Sequence, residues 1–252
     1  MVDIDAPGTW PTAVADLIAE LAPGVRDHLD SASDLHNEAP DLAEFDGQVR
    51  ELLAGCLVRT YHATRLLDHE IEDVRIRGLR ILTDSSLTER ADRALKAGVV
   101  TEDEHAALLE STALNYENPR NARQRIGELS VVTSRQPLAQ GWPVRLLRNW
   151  GGEVRQFGPV WEGVDYEHLR RLGRPSLVVA GIDVATPAAV GTGRKLVFDF
   201  IGSHLDLGGN GITVHYTADI PGEQMSLATI TPGQGLAMAF RRCRMLVGCL
   251  KP

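Results

Sequence analysis

Long apolar runs are missing from this 252-residue chain. None approaches the roughly 18 residues that span a bilayer. The first residues, MVDIDAPGTW, lack a basic stretch followed by an apolar one, so no secretion signal is read there and a cytoplasmic location is expected. Cysteine is scarce as well. Cys56, Cys243 and Cys249 have neither metal-site nor paired-disulfide spacing, and they read as buried thiols. Only Lys96, Lys195 and Lys251 are lysine among 26 basic residues, a bias that can come from a GC-rich genome as much as from function. No Gly-x-Gly-x-x-Gly or Walker loop occurs, which disfavours a Rossmann or P-loop nucleotide site. No Gly-x-Ser-x-Gly elbow occurs either. His62, His69 and Glu70 lack His-Glu-x-x-His spacing, so no metal is expected.

What is present is a chain with 43% apolar residues, enough for one large domain or one domain with an appendage. Its charge is uneven. Residues 1–50 hold 11 acidic and two basic residues, a net of −9, whereas the rest is near neutral at +1. A near-neutral, arginine-rich body can contain a positive cleft that the whole-chain charge hides. The acidic segment, residues 1–55, is read as a helical appendage to a domain at 56–252. It would be either a cap on the sheet, a cover over a positive cleft, or a recruiter of a basic partner.

Periodicity supplies the elements. A helix is expected over 10–22, with Pro11 in its first turn and Pro23-Gly24 ending it. Residues 27–40 read as a loop, and 41–55 as a second helix with Leu42, Phe45, Val49, Leu52 and Leu53 on one face. Cys56 to Thr60 reads as a strand running into His62. A helix at 68–77 stops at Gly78, another covers 86–97 before Gly98, and a third covers 102–114. Thr101 with Glu104 three residues on is a capping box. Strands are expected at 129–133, 153–160, 176–184, 194–201, 211–218 and 225–230, with helical patterns at 143–149, 165–172 and 235–247. "GTGRK" at 191–195 reads as a hairpin turn before a strand. Helices early and strands late give an α+β fold with a mostly antiparallel or mixed sheet.

Chemistry-bearing residues gather around one stretch. Tyr61-His62-Ala63-Thr64 closes a strand, a charged helix follows with Ile71 and Val74, and Gly78-Leu79 ends it. This order resembles the opening motif of the ADP-ribosyltransferase superfamily, a strand-end histidine, a small residue, then threonine or serine, and a helix that exits at Gly-Leu. The resemblance covers residues 58–79, and the rest only by order of elements. It implies an ADP-ribosyltransferase-like split sheet and a site for NAD. His62 would hold the adenosine-side ribose, with Thr64 and Tyr61 beside it and Arg65 gripping phosphate. It also implies a late glutamate, because loss of nicotinamide leaves an oxocarbenium-like sugar that a carboxylate stabilises. Strand alternation puts Tyr61 and Ala63 on the face opposite His62 and Thr64.

The glutamate is where the sequence departs from the pattern. The late strand reads Thr213-Val214-His215-Tyr216, without one. Glu153, in "RNWGGEVRQF" beside a stacking Trp150, Glu223 after Pro221-Gly222, or His215 itself are the candidates for the catalytic position. Thr133-Ser134-Arg135 loosely resembles the superfamily's Ser-Thr-Ser. Ser130 and Thr133 fall on different faces, so only one of them can line a cleft. The expected activity is NAD cleavage with transfer of ADP-ribose to a macromolecule, protein or nucleic acid, or to water. The alternative is a non-catalytic interaction, immunity or inhibitor protein on the same scaffold.

Overall fold

A computed structural model describes residues 1–31, 43–117, 126–135, 138, 146, 147, 150, 171–191, 196–207 and 213–230. The fold is α+β. Helices α1 (Thr12–Ser31), α2 (Ala43–Leu52), α3 (Asp68–Arg77), α4 (Ser86–Lys96), α5 (Glu102–Glu117) and α6 (Leu196–His204) surround one sheet. Its strands are β1 (Val58–Leu66), β2 (Leu129–Val132), β3 (Arg174–Ile182), β4 (Ala189–Gly191), β5 (Thr213–Tyr216) and β6 (Met225–Thr229), in spatial order β4-β5-β2-β1-β3-β6. Every strand pair is antiparallel.

The register divides this sheet in two. β1 runs alongside β3 for its whole length, from Val58↔Ile182 to Leu66↔Arg174. β2 pairs with β5 from Leu129↔Tyr216 to Val132↔Thr213. Between β1 and β2 the ladder has one register pair, Tyr61↔Val132. Beyond it the second half of β1 and the first half of β2 separate. His62 spans the gap, its Nδ1 lying 2.8 Å from the carbonyl of Ser130.

One face of the sheet is covered by α1, α2 and α6. Val14, Ile18, Ala22 and Val25 of α1 recur at helical spacing and pack with Val58, Val131, Val178, Ala180, Ile182 and Val214 from the strands. Trp10 meets Phe200 of α6 edge to face, with centroids 4.9 Å apart. The other face buries Tyr61, Ala63, Val132, Leu177 and Val179 under Leu138, Leu146 and Leu147. A third cluster, Leu67, Ala91, Ala94, Val100, Leu108, Trp150 and Leu172, joins α3, α4 and α5.

Several expectations are corrected. Pro23-Gly24 does not end the first helix, which continues to Ser31. Both residues face solvent while Ala22 and Val25 are buried, so core packing holds the helix through a proline that costs it one backbone bond on the outside. The strand expected at 194–201 is helix α6. Leu196 with Phe200, and Val197 with Ile201, are buried i, i+4 pairs, a period of 3.6 hidden in a β-like composition. With it goes the hairpin expected before a strand at 191–195. β1 extends to Leu66, so His62 lies mid-strand rather than at its end. Leu52 is 39% exposed and leaves the apolar face of α2. The expected strand at 153–160 and helix at 235–247, with Cys243 and Cys249, lie outside the described residues. The capping box holds: Glu104 accepts from the Thr101 N–H at 2.8 Å and Thr101 Oγ1 accepts from Glu104 N–H at 3.2 Å.

Much of the N-terminal acidity is turned inward. Arg59 pairs with Asp3 at 2.5 Å and Arg135 with Asp5 at 2.9 Å. Asp46 of α2 takes Arg50 at 2.9 Å. The segment behaves as an acidic cap sharing the sheet's core.

Candidate functional site

The separation of β1 from β2 opens a cleft of about 1160 Å³. Its floor carries His62, Thr64 and Leu66 from β1 and Leu129 and Ser130 from β2, and its walls are α3, residues 78–86 and α4. Alternation along β1 brings His62 and Thr64 to the same side, as the sequence requires. A carbonyl only accepts, so the contact to Ser130 puts the hydrogen on Nδ1 of His62 and makes Nε2 the acceptor of the neutral ring. Thr64 is 5% exposed, and its hydroxyl has no hydrogen-bond partner among the described residues.

The rim is pinned on both sides of the gap. Gly78 has φ +92, and a Cβ there would sit 1.9 Å from the carbonyl oxygen of Ile220. Only glycine permits that approach. The neighbouring Leu79 exchanges two backbone hydrogen bonds with Ile220, at 3.0 and 2.8 Å. Three residues on, Leu82 donates to the carbonyl of Glu128 at 3.1 Å and accepts from Gly127 at 2.7 Å. Gly78-Leu79 therefore begins a strap that runs from the approach to β6 across to the approach to β2. Asp219 fixes its middle by accepting from the Ile81 N–H at 2.9 Å.

Of the residues expected at the site, His62 and Thr64 line the cleft. Tyr61 does not. It is buried in the cluster on the other face, where burial first and the charge of Asp3 second push its phenol pKa up. Arg65 is no phosphate clamp. Its Nε donates to the Leu172 carbonyl at 2.5 Å and Nη1 to the Leu147 carbonyl at 3.2 Å, away from the cleft, and burial lowers its pKa. Trp150 offers no stacking face, being 1% exposed, with Nε1 donating to Glu70 Oε2 at 2.9 Å and Arg90 lying 5.1 Å over its ring.

The catalytic candidates are not brought to the cleft. Glu223 is exposed on the short turn Gly222–Gln224 and lines no part of it. His215 is in register with Ser130 on β5, and its Nδ1 lies 3.1 Å from Glu128 and 3.2 Å from Ser130 Oγ. By alternation from Tyr61↔Val132, that is the face opposite His62. Glu153 lies outside the described residues. Of the Ser-Thr-Ser-like stretch, Thr133 donates to Asp199, and Ser134 Oγ and Arg135 both bind Asp5, so these side chains anchor the N-terminal segment and α6.

Sequence reasoning missed Glu70 and Arg90. Glu70 is 4% exposed and accepts from Leu67 N–H at 2.8 Å, Arg90 Nε at 2.6 Å and Trp150 Nε1. Burial would raise its pKa, but the charge and hydrogen bonds of Arg90 outweigh that and hold it below the ordinary value. The signal was a glutamate at the third position of α3, where a carboxylate folds back onto the helix start.

The cleft as a whole is not positive. Arg77, Arg80, Arg90 and Arg93 line it, against six carboxylates, a formal balance of −2 with histidine neutral. Nor do the acidic helices α1 and α2 reach it, which removes the idea that they cover a positive cleft. Among the described residues no group of three or more metal-ligating side chains gathers anywhere, and no helix is long and apolar enough to cross a membrane.

Against known proteins, the chain matches no family model, no curated protein and no solved structure.

Proposed function

We propose that this chain is an ADP-ribosyltransferase-like protein that binds NAD in the cleft between the halves of its sheet. The observation that carries this is the meeting, in one cleft of about 1160 Å³, of His62, Thr64 and the Gly78-Leu79 strap. These are the parts of the sequence pattern that the superfamily resemblance assigns to NAD. Such a cleft has room for a dinucleotide. The His62 imidazole, held by Ser130, can exchange hydrogen bonds with ribose hydroxyls without adding a fixed charge. The Thr64 hydroxyl supplies a second polar contact on the floor. In this role the protein would release nicotinamide and pass ADP-ribose to a macromolecule or to water.

A second role, binding without turnover, is favoured by a specific observation. Glu223 and His215 sit away from the floor that His62 and Thr64 define. An interaction, immunity or inhibitor protein would keep the ligand site and need no such group.

Calorimetry with NAD, and chromatography of released nicotinamide, test both on the wild type, His62→Ala and Thr64→Val. Loss of a charge-free hydrogen bond in each variant is expected to weaken NAD by about tenfold. Tight binding without nicotinamide release selects the second role. No NAD binding by the folded wild type defeats the NAD assignment in both forms.

A further inference from the structure

The charges of the cleft are not spread evenly, and the exception has a chemistry. Glu70 is neutralised by Arg90 at 2.6 Å, and Asp92 takes His105 at 2.6 Å. Glu128 takes His215 at 3.1 Å. One turn along α3 from Glu70 the arrangement reverses. Asp73 Oδ2 accepts from Arg77 of its own helix and from Arg93 Nη1 of α4, the latter at 2.7 Å. Two guanidinium groups share one carboxylate, so this cluster keeps a net charge of +1. All three residues line the cleft.

The geometry leaves most of the donors unused. Each guanidinium has five N–H donors, and each arginine binds Asp73 through one nitrogen. Arg77 is 50% and Arg93 43% exposed, so their outer edges remain open to a ligand. Arg80 adds a third guanidinium that lines the cleft and has no partner among the described residues. Asp73 fixes the two forks relative to each other, lowering the entropy cost of closing them on an anion. Guanidinium forks match phosphate oxygens in bidentate geometry.

We propose that Arg77 and Arg93, held side by side by Asp73, form the anion-binding wall of the cleft and take the diphosphate of a dinucleotide. The diphosphate assignment rests on the NAD role proposed above, whereas the anion site stands on the arginine geometry. In this arrangement His62 and Thr64 meet the neutral, ribose-bearing part of the ligand on the floor, and the arginine pair meets its charge on the wall. Arg77 and Arg93 would bind and orient, with no part in bond breaking.

The test is titration of wild type, Arg77→Ala, Arg93→Ala and the double variant with NAD, nicotinamide riboside and inorganic pyrophosphate at low and high salt. Both arginines are half-exposed, and circular dichroism with thermal melting verifies that the variants fold. Each single variant is expected to lose about tenfold in affinity for NAD and pyrophosphate, and the double variant about a hundredfold. Nicotinamide riboside, which lacks the diphosphate, is expected to bind wild type and double variant alike. NAD bound equally by wild type and double variant overturns the anion wall and leaves the NAD role intact. Arginine-dependent pyrophosphate binding without any NAD binding does the reverse. Wild type that binds neither NAD nor pyrophosphate overturns both.

Discussion

Two carboxylate–arginine clusters lie one helical turn apart on α3, and they have opposite characters. At Glu70 the carboxylate is 4% exposed, and its oxygens are taken by Arg90, the Trp150 indole and the Leu67 N–H. At Asp73 the carboxylate is 32% exposed and shared by two arginines that still face outward. The same pair of residue types makes a strut in one place and an open cation pair in the other. Burial decides which. A charge removed from water must be fully satisfied by the protein, whereas a solvated charge is screened and adds little to stability. The first cluster therefore belongs to folding and the second is available to a ligand.

Breaking the strut is the largest expected effect. Glu70→Ala leaves the Arg90 guanidinium, the Trp150 indole and the Leu67 amide without their partner. A stability loss of about 3–5 kcal/mol in denaturant unfolding is expected. A loss below about 1 kcal/mol would erase the contrast between the two clusters.

Gly78→Ala comes next. It places a methyl 1.9 Å from the Ile220 carbonyl at a backbone φ of +92, and it must displace the strap on the cleft rim. About 2–3 kcal/mol of destabilisation is expected, together with weakened NAD binding. Unchanged melting would mean that the strap does not hold the rim.

Acid separates the clusters by sign. The Glu70 pKa is lowered in the fold, so the unfolded chain binds its proton first. Its contribution is complete above the ordinary carboxylate value and is lost as pH falls through that value to the depressed one. Stability measured from pH 7 down to pH 3 should fall less steeply in Glu70→Gln than in wild type. Asp73 is also lowered, chiefly by the hydrogen bond from Arg77. Its exposure means that Asp73→Asn should leave the acid limb nearly unchanged.

The smallest effect sharpens the comparison most. Asp73→Asn should shift Tm by less than about 2 °C. At low salt it should strengthen pyrophosphate binding, because the arginines lose their counter-charge. A melting shift as large as that of Glu70→Ala would make Asp73 a second strut.

How much was legible beforehand follows from the range of each interaction. α3 was read at its observed bounds, because Gly78 and the charged period are local signals. His62 and Thr64 were placed on one side of β1 by alternation alone. α6 was misread because its i, i+4 apolar pairs sit among residues of β-like composition, and burial against α1 outweighs that composition. Arg65 and Trp150 were taken as ligand groups from their types. Their partners are Leu172, Leu147 and Glu70, at separations of 107, 82 and 80 residues, which no local pattern encodes.

By itself the sequence determined the α+β composition, the boundaries of the helices that flank the cleft, and the side of β1 on which its polar pair emerges. These depend on backbone preferences and on periods of 3.6 and 2.0 residues. Only the tertiary structure decided that β1 and β2 part after one register pair. It also decided that the strap from Gly78 bridges the two halves, and that of two acidic residues three apart on one helix, one is buried and one open. The physical reason is that strand separation and desolvation are set by which distant surfaces meet, and a charge acquires its role from the water left around it.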